Sequence, residues 1–398
     1  MPHPSQFQGI MDRVHPMLSR IPLPQSERAP AAGVQAQADL LAAVPLLERV
    51  FDAIPSMAML LNPQRQILFA NRRLVEFVGA EEADELLGMR PGEMLDCVHA
   101  LEGCGGCGTT PHCTVCGSLR AIADAQLGYG QTQVCLMVRR TDEGPEPVAL
   151  EVWAAPFEIS GQRFTLVCLT DAADRVVRDR LELGILPQAM ALAAETEALT
   201  RAAADDSSTP DARQRALSMI ETASKRMARV VHAPGELAAA ESGALAATLG
   251  IVSARELLSQ AAGDLVPAGG PGIRLDSPAE DATVETDPEL ARKALGEILL
   301  NALQAAPLGG ASAGFRVSET CVDFWVHNPG EMGRPVQLQV FSRGFSTKAP
   351  GRGYGAYLAR LVTERYLGGS LTFHSAAGEG TTFTVRLPRA GGTQEGRA

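Results

Sequence analysis

Four short sequence blocks in the C-terminal third of the chain constrain its fold more than any other feature. In chain order they are residues 296–306 (GEILLNALQAA), 326–330 (VHNPG), 341–357 (FSRGFSTKAPGRGYGAY) and 378–383 (GEGTTF). The first block has a helical pattern, so Glu297 and Asn301, which are four residues apart, share one face. Their side chains offer the hard oxygen ligands that Mg²⁺ prefers beside phosphates. Glycines that open a helix let backbone N–H groups approach a phosphate. The four blocks in this order therefore predict a nucleotide site.

Each block alone has a plainer explanation, because glycines also occur in ordinary turns. In this order, however, residues 285–388 resemble the ATP-binding domain of sensor histidine kinases, within the superfamily that also holds type II topoisomerase and mismatch-repair ATPases. The resemblance implies an α/β-sandwich domain that binds ATP with Mg²⁺, in which Asn301 ligates the ion and Lys348 lies in a lid over the nucleotide. The residues that it assigns to nucleotide binding are Asn301, Asn328, Gly330, Lys348, Gly351, Arg352, Gly353, Gly355 and Thr382.

Two residues depart from the pattern of that family. The family usually has Asp in the adenine-recognition block, whereas this chain has Asn328. A carboxamide oxygen still accepts a hydrogen bond from the adenine amine, but without charge assistance, which costs about 1 kcal/mol or several-fold in affinity. Glu297 stands where many sensor kinases have Asn. It is either a general base for water, as in the ATP-hydrolysing relatives, or a solvated carboxylate on the helix face.

The phosphate-accepting histidine of the family is absent from its expected position. That position lies near the start of the first helix of a helical hairpin and corresponds here to Leu183. It moves to Glu182 if Pro187 is matched to the proline that follows the histidine in many members. The chain has no histidine between His112 and His232. His232, in the second helix, is either a relocated acceptor or an ordinary surface histidine. The chain thus resembles a histidine kinase in the order of its domains. It resembles a pseudokinase because it lacks the histidine that would accept the phosphoryl group.

Residues 97–116 (CVHALEGCGGCGTTPHCTVC) hold five of the eight cysteines. Cys104 and Cys107 form one CxxC pair, Cys113 and Cys116 form another, and two such pairs complete a tetrahedral metal site. Thiolates suit Zn²⁺ or an iron–sulfur cluster. A reversible disulfide switch and unconnected thiols in a Gly-rich loop are the alternatives. Similar inserts in some bacterial PAS-type kinases have Cys at the positions of Cys97, Cys107, Cys113 and Cys116, which would leave Cys104 spare.

The order of helical and β-like segments predicts an α+β multidomain protein. The predicted parts are a flexible leader (1–44), a PAS-like antiparallel sheet domain with the cysteine insert (45–172), a two-helix dimerisation hairpin (173–246), the ATP-binding domain (250–390) and a tail (391–398). Pro187 is predicted to kink the first hairpin helix and Pro234 to interrupt the second. Cys135, Cys168 and Cys321 lie in β-like runs and are predicted to be core residues.

Composition narrows the range of functions. The net charge of −11 argues against a broad nucleic-acid footprint, which needs a basic face. The chain has no run of about 18 apolar residues and no signal-peptide pattern, so we expect no membrane span and a cytoplasmic location, where thiols stay reduced.

The sequence therefore predicts a cytosolic sensor protein that binds ATP and forms a homodimer through its hairpin. We expect it to regulate a response regulator or a partner histidine kinase, with the cysteine insert sensing redox state or metal. Two alternatives remain, an active kinase with His232 as its acceptor and an ATP-hydrolysing switch that uses Glu297.

Overall fold

The computed structural model describes residues 26–44, 46–142, 144–173, 185–205, 209–265, 272–276, 278, 280–306, 310–347 and 353–391. The chain divides into two compact units, Met1–Arg178 and Asp179–Ala398. Within the described residues, no helix has the length and apolar character needed to cross a membrane.

The first unit is built on a five-stranded antiparallel sheet with strand order β2-β1-β5-β4-β3. Its strands are β1 (Met57–Leu61), β2 (Ile67–Ala70), β3 (Gln131–Thr141), β4 (Gly144–Ile159) and β5 (Gln162–Asp171). Its helices are α1 (Ala31–Ala42), α2 (Leu47–Asp52), α3 (Arg72–Val78), α4 (Pro91–Met94), α5 (Val98–Leu101) and α6 (Gly117–Gln126), with 3₁₀ turns at Ala83–Leu86 and Pro111–Val115. β1 and β2 are two short apolar strands that pair antiparallel across a polar turn.

Each face of this sheet packs against a hydrophobic core. For this reason the residues of β1 are all apolar. Met59 and Leu61 pack into a core on one face, which includes Ile122 of α6. Ala58 and Leu60 pack into a second core on the other face. Successive side chains of a strand point to opposite faces, so a strand buried on both sides has no polar positions.

The second core corrects the prediction of a flexible leader over residues 1–44. Ala31–Ala42 form helix α1, and its Val34 and Leu41 are buried in that core. Burial of these two side chains stabilises the helix, because each removes apolar surface from water. Residues 1–25 lie outside the described part of the chain.

The second unit begins with two long helices, α7 (Leu186–Ala204) and α8 (Pro210–Glu241). They run antiparallel, because Arg213 contacts Ala203 beside the connection while Arg226 pairs with Glu195 further along, with an N–O distance of 3.6 Å. The predicted hairpin is therefore present over the described residues. The predicted interruption at Pro234 is wrong, since α8 continues through it. Pro187 lies in the first turn of α7, where a proline is tolerated, and residues 174–184 before it are not described.

The rest of the second unit is an α/β layer structure. Its sheet has the order β11-β12-β10-β9-β7, antiparallel except for the β7–β9 pair, and a separate ribbon pairs β6 with β8. The strands are β6 (Gly250–Ser253), β7 (Arg274–Asp276), β8 (Thr283–Thr286), β9 (Ser312–Val317), β10 (Cys321–Asn328), β11 (Ser370–Ala376) and β12 (Gly380–Pro388). The helices are α9 (Ala254–Gly263), α10 (Pro288–Ala305), α11 (Arg334–Gln337) and α12 (Gly355–Arg365). Alternate residues of β10 and β12 share one core with α9, α10 and α12.

Candidate functional site

A cavity of about 520 Å³ lies in the second unit between α10, the ends of β10 and β12, and the start of α12. This volume is in the range of small-molecule sites. Of the residues predicted to bind a nucleotide, those that line the cavity are Asn301, Asn328, Gly330, Gly353 and Gly355, together with Glu297. Lys348, Gly351 and Arg352 lie outside the described residues.

One end of the cavity carries a fixed set of polar groups. Asn328 is the last residue of β10 and only 4% exposed, and its Nδ2 donates to the carbonyl oxygen of Gly330 over 3.2 Å. Thr381 donates to the same oxygen over 2.7 Å and shares a 2.8 Å hydrogen bond with Ser375. Because Nδ2 is used in this way, the Oδ1 atom of Asn328 is the acceptor that the side chain can offer to a ligand.

Strand register shows that Thr381, and not the predicted Thr382, lines the cavity. Thr381 pairs with Asn328 and Thr382 with His327, and neighbouring residues of a strand face opposite sides. Thr382 instead lies 3.0 Å from Nδ1 of His327 on the other face. The sequence motif could not distinguish the two threonines, because the choice depends on which one lies opposite Asn328.

At the other end of the cavity, two glycines allow close approach of neighbouring groups where any side chain would collide. Gly353 has a φ of +102°, and an ideal Cβ there would lie 2.0 Å from the carbonyl oxygen of Phe345. Gly355 opens α12, and an ideal Cβ on it would lie 2.3 Å from Oε2 of Glu297. Asn301 lines the same cavity one helical turn after Glu297. This end of the cavity suits a phosphate chain with Mg²⁺. Asn301 offers an oxygen ligand, α12 presents its N-terminus, and the backbone is accessible at Gly353 and Gly355.

The helical hairpin also reaches this cavity. Ile185 and Gln188 at the start of α7 line it, as do Val230 and Ala233 of α8. His232 is exposed and lines a different cavity of about 390 Å³, which it shares with Glu236. Glu297 borders both cavities. The beginning of α7 thus lines the same cavity as Asn301 and Asn328.

The cysteine insert lies in the first unit around two buried arginines. Arg90 is fully buried, and its guanidinium donates hydrogen bonds of 3.0–3.2 Å to backbone carbonyl oxygens, which belong to Ser26, Glu27, Gln64, Gly105 and Cys107. Arg65 is also buried, which lowers its pKa to about 10, while its proximity to Cys107 and Cys113 opposes that shift. Two buried guanidinium groups therefore lie beside the insert, and the Arg65 group is close to Cys107 and Cys113.

The insert thiols are close to one another but not in one tight group. Burial is the main cause that raises the pKa of Cys97 and of Cys107, and the charges of Cys113 and Cys116 raise both further. Cys104 is exposed. Among the described residues, no three cysteine sulfur atoms all lie within 4.8 Å of one another.

Cys135 contacts the insert through Cys116. The sequence predicted it as a core residue and did not predict this contact. It is buried on β3, as predicted, but its Sγ lies 3.8 Å from Sγ of Cys116. That hydrogen bond is the main cause that lowers the pKa of Cys116 to about 7, helped by the backbone N–H groups at the start of α6. The β3 sequence could not show this, because the contact depends on where α6 begins.

Comparisons with known proteins identify two domains. Residues 286–391 match the family of histidine kinase-, DNA gyrase B- and HSP90-like ATPases, and residues 46–110 match the PAS domain family. The ATPase family implies that this domain binds ATP with Mg²⁺. These matches confirm the predicted resemblance and the predicted fold class.

No curated protein matches the chain. Among solved structures, the mycobacterial sensor histidine kinase MprB is 20% identical over 36% of this chain and 98% of its own, with a TM-score of 0.29. ShkA in complex with AMPPNP is 18% identical over 54% of this chain and 46% of its own, with a TM-score of 0.36. Histidine kinase ThkA in complex with response regulator TrrA is 16% identical over 86% of this chain and 98% of its own, with a TM-score of 0.35. Since all three TM-scores are below 0.5, the family matches alone identify the domains.

Proposed function

We propose that this chain, whose two family matches are an ATPase domain and a PAS domain, is a PAS-containing sensor histidine kinase that binds ATP with Mg²⁺ but does not phosphorylate a histidine of its own. Asn328 and Thr381 would hold the adenine end, and Asn301 with the backbone at Gly353 and Gly355 would hold Mg²⁺ and the phosphates. The bound nucleotide would set the conformation of the helical hairpin. In this role the protein is an allosteric partner of an active histidine kinase or a response regulator.

The start of α7 carries this proposal. It supplies Ile185 and Gln188 to the nucleotide cavity. The positions that the resemblance assigns to the acceptor, Leu183 or Glu182, come directly before this segment in the sequence. A leucine has no nucleophile for a phosphoryl group, and a carboxylate does not replace the imidazole of the family. His232, the only histidine of the hairpin sequence, borders the second cavity instead.

Exposed apolar side chains on the hairpin support dimerisation. Leu186 and Met190 of α7 are 53% and 71% exposed, and Leu217 and Val231 of α8 are 50% and 54% exposed. Apolar residues at such exposure on paired helices are typical of surfaces that pack against further helices. A homodimer through a four-helix bundle would bury them.

The cysteine insert is proposed to sense metal or redox state. Cys97, Cys107, Cys113 and Cys116 would hold Zn²⁺ or an iron–sulfur cluster, since four thiolates are the donor set that both prefer. Arg65 and Arg90 would compensate the negative charge of such a centre. The four thiols would have to move together to hold the group, since no three sulfur atoms of the described cysteines all lie within 4.8 Å of one another. Metal and iron analysis of the protein, purified without air, tests this part separately from the kinase question.

The main test measures ATP affinity and phosphorylation on the same full-length protein. Calorimetry should detect binding of ATP with Mg²⁺, and incubation with radiolabelled ATP should leave no acid-labile phosphoryl label. The same labelling is measured on the variant His232→Ala. His374→Ala, which removes another exposed histidine, is its control. Label that is lost only in His232→Ala would establish an active kinase with a relocated acceptor. Label in every variant would also overturn the proposal.

An ATP-hydrolysing switch is the second candidate, and the position of Glu297 favours it. Its carboxylate lies against Gly355 at the N-terminus of α12, on the phosphate side of the cavity. From there Oε2 could accept a proton from water that attacks a phosphate. Glu297→Gln should then abolish slow ATP turnover while ATP affinity changes little. Unchanged turnover in that variant would exclude this role.

A further inference from the structure

Three potential metal ligands from the cysteine insert come together beside the thiols. They are His99, Glu102 and His112, and one ligand atom of each lies within 4.8 Å of the others. Nδ1 of His99 is 3.1 Å from Oε2 of Glu102. The rings of His99 and His112 stack with centroids 4.0 Å apart and planes 4° from parallel. Among the described residues this is the only group of three such ligands at that spacing, and it contains no cysteine.

Local structure explains why the three side chains meet. His99 lies in α5, and Glu102 is its C-cap residue, so the two are three positions apart and share one side. His112 lies in the 3₁₀ turn Pro111–Val115, which brings its ring onto that of His99. The side chains of His99 and Glu102 are 32% and 54% exposed. An ion from solution can therefore reach them.

We propose that His99, Glu102 and His112 form a binding site for a borderline divalent transition-metal ion such as Zn²⁺ or Ni²⁺. Two imidazole nitrogens and a carboxylate oxygen are a common donor set for these ions, and it differs from the thiolate set proposed above. The remaining coordination positions would be filled by water. None of the three ligands lines the ATP cavity, and the proposal does not require a metal at the thiols.

Metal binding must change the ring arrangement. Two stacked parallel imidazoles direct their lone pairs along parallel lines, whereas ligands of one ion direct them to one point. A bound ion would therefore turn the rings out of the stack and replace a ring contact with two metal–nitrogen bonds. This movement would occur between Cys97 and Cys113, so it provides a route from metal binding to the geometry of the thiols.

The second unit provides a matched control. His374 and Glu379 form a pair of the same kind, with Nε2 and Oε2 3.0 Å apart and both side chains about 70% exposed. Among the described residues no third ligand joins them at metal-binding spacing. A single histidine–carboxylate pair should hold a transition metal much more weakly than a set of three ligands.

The test counts Ni²⁺ ions bound per full-length protein by equilibrium dialysis. We expect His112→Ala to bind one Ni²⁺ fewer than the wild type, and His374→Ala to bind the same number. Ions held by the thiols remain in both variants, so the difference reports this site alone. Glu102→Gln, which keeps both rings, should weaken that Ni²⁺ by at least about tenfold, since even indirect contacts to a metal are commonly worth this much. Circular dichroism checks that each variant is folded. Equal Ni²⁺ stoichiometry and affinity in wild type and Glu102→Gln would overturn the proposal, as would an unchanged count in folded His112→Ala.

Discussion

The backbone at Gly353 approaches Phe345 so closely that no side chain fits between them. An ideal Cβ on Gly353 would lie 2.0 Å from the carbonyl oxygen of Phe345, and the φ of +102° already disfavours any other residue. Phe345 is buried and lines the nucleotide cavity together with Gly353. The wall of the cavity therefore depends on this one glycine.

Gly353→Ala should weaken ATP binding. The substitution forces a left-handed residue and a backbone collision, and strain of this kind costs about 1–3 kcal/mol. We expect ATP affinity, measured by calorimetry, to fall by about fivefold or more. Gly263→Ala is the control, because an ideal Cβ at Gly263 meets nothing within 4 Å. Equal ATP affinities in Gly353→Ala and Gly263→Ala would show that the close approach of Gly353 to Phe345 is not needed for ATP binding.

Two neighbouring threonines should differ in their effect on the nucleotide. Thr381→Val removes the hydroxyl that holds the Gly330 carbonyl beside Asn328, so ATP affinity should fall by about 1 kcal/mol or several-fold. Thr382→Val removes only a contact to His327 on the other face of the sheet. Its ATP affinity should remain that of the wild type. A larger loss in Thr382→Val would contradict the register described above.

The reactivity of Cys116 should depend on pH with a midpoint near 7. Its folded pKa, about 7, is below the usual value of 9.0, so the reactive thiolate forms as pH rises through 7 rather than through 9. Alkylation of metal-free, reduced protein by iodoacetamide, followed by peptide mass spectrometry, measures this midpoint. Cys135→Ala should move it to higher pH, because the hydrogen bond from Cys135 is the main cause of the shift. Cys168→Ala, elsewhere in the sheet, should leave it in place.

An ion pair joins the end of α8 to the segment before α12. The guanidinium of Arg343 donates to both carboxylate oxygens of Glu241 over 2.5 and 3.1 Å, and both side chains are less than 20% exposed. Arg343→Gln should lower the free energy of unfolding by about 1–3 kcal/mol. The substitution removes the charged partner of the Glu241 carboxylate, which is largely shielded from water. Arg201→Gln breaks the exposed pair with Glu197 in α7 and should cost less than about 0.5 kcal/mol. Chemical denaturation followed by circular dichroism compares them, and equal losses would contradict this account.

Some of the site could be predicted from the sequence because its chemistry depends on local spacing. Glu297 and Asn301 share a helix face by periodicity alone, and Gly355 opens a helix as its motif predicts. Thr381 could not be chosen over Thr382, since that choice depends on pairing with a strand more than fifty residues away. Cys135 is a similar case, because its partner Cys116 comes from the end of the insert.

Elements outside the motifs were harder to predict for a different reason. Helix α1 has a weak signal of its own, and it is stabilised by a sheet face that its sequence does not reveal. Pro234 normally indicates a helix end, yet α8 continues through it as part of a packed hairpin. In both cases tertiary packing outweighs local propensity.

The two-sided burial of β1 also limits how this strand can vary. Residues 58 to 61 are each 0% exposed, and they alternate between two separate cores. An amphipathic strand tolerates polar substitutions at every second position, but this strand has no such position. Random mutagenesis of these four codons should therefore recover only apolar residues, and a shift by one residue would exchange the contents of the two cores without exposing either.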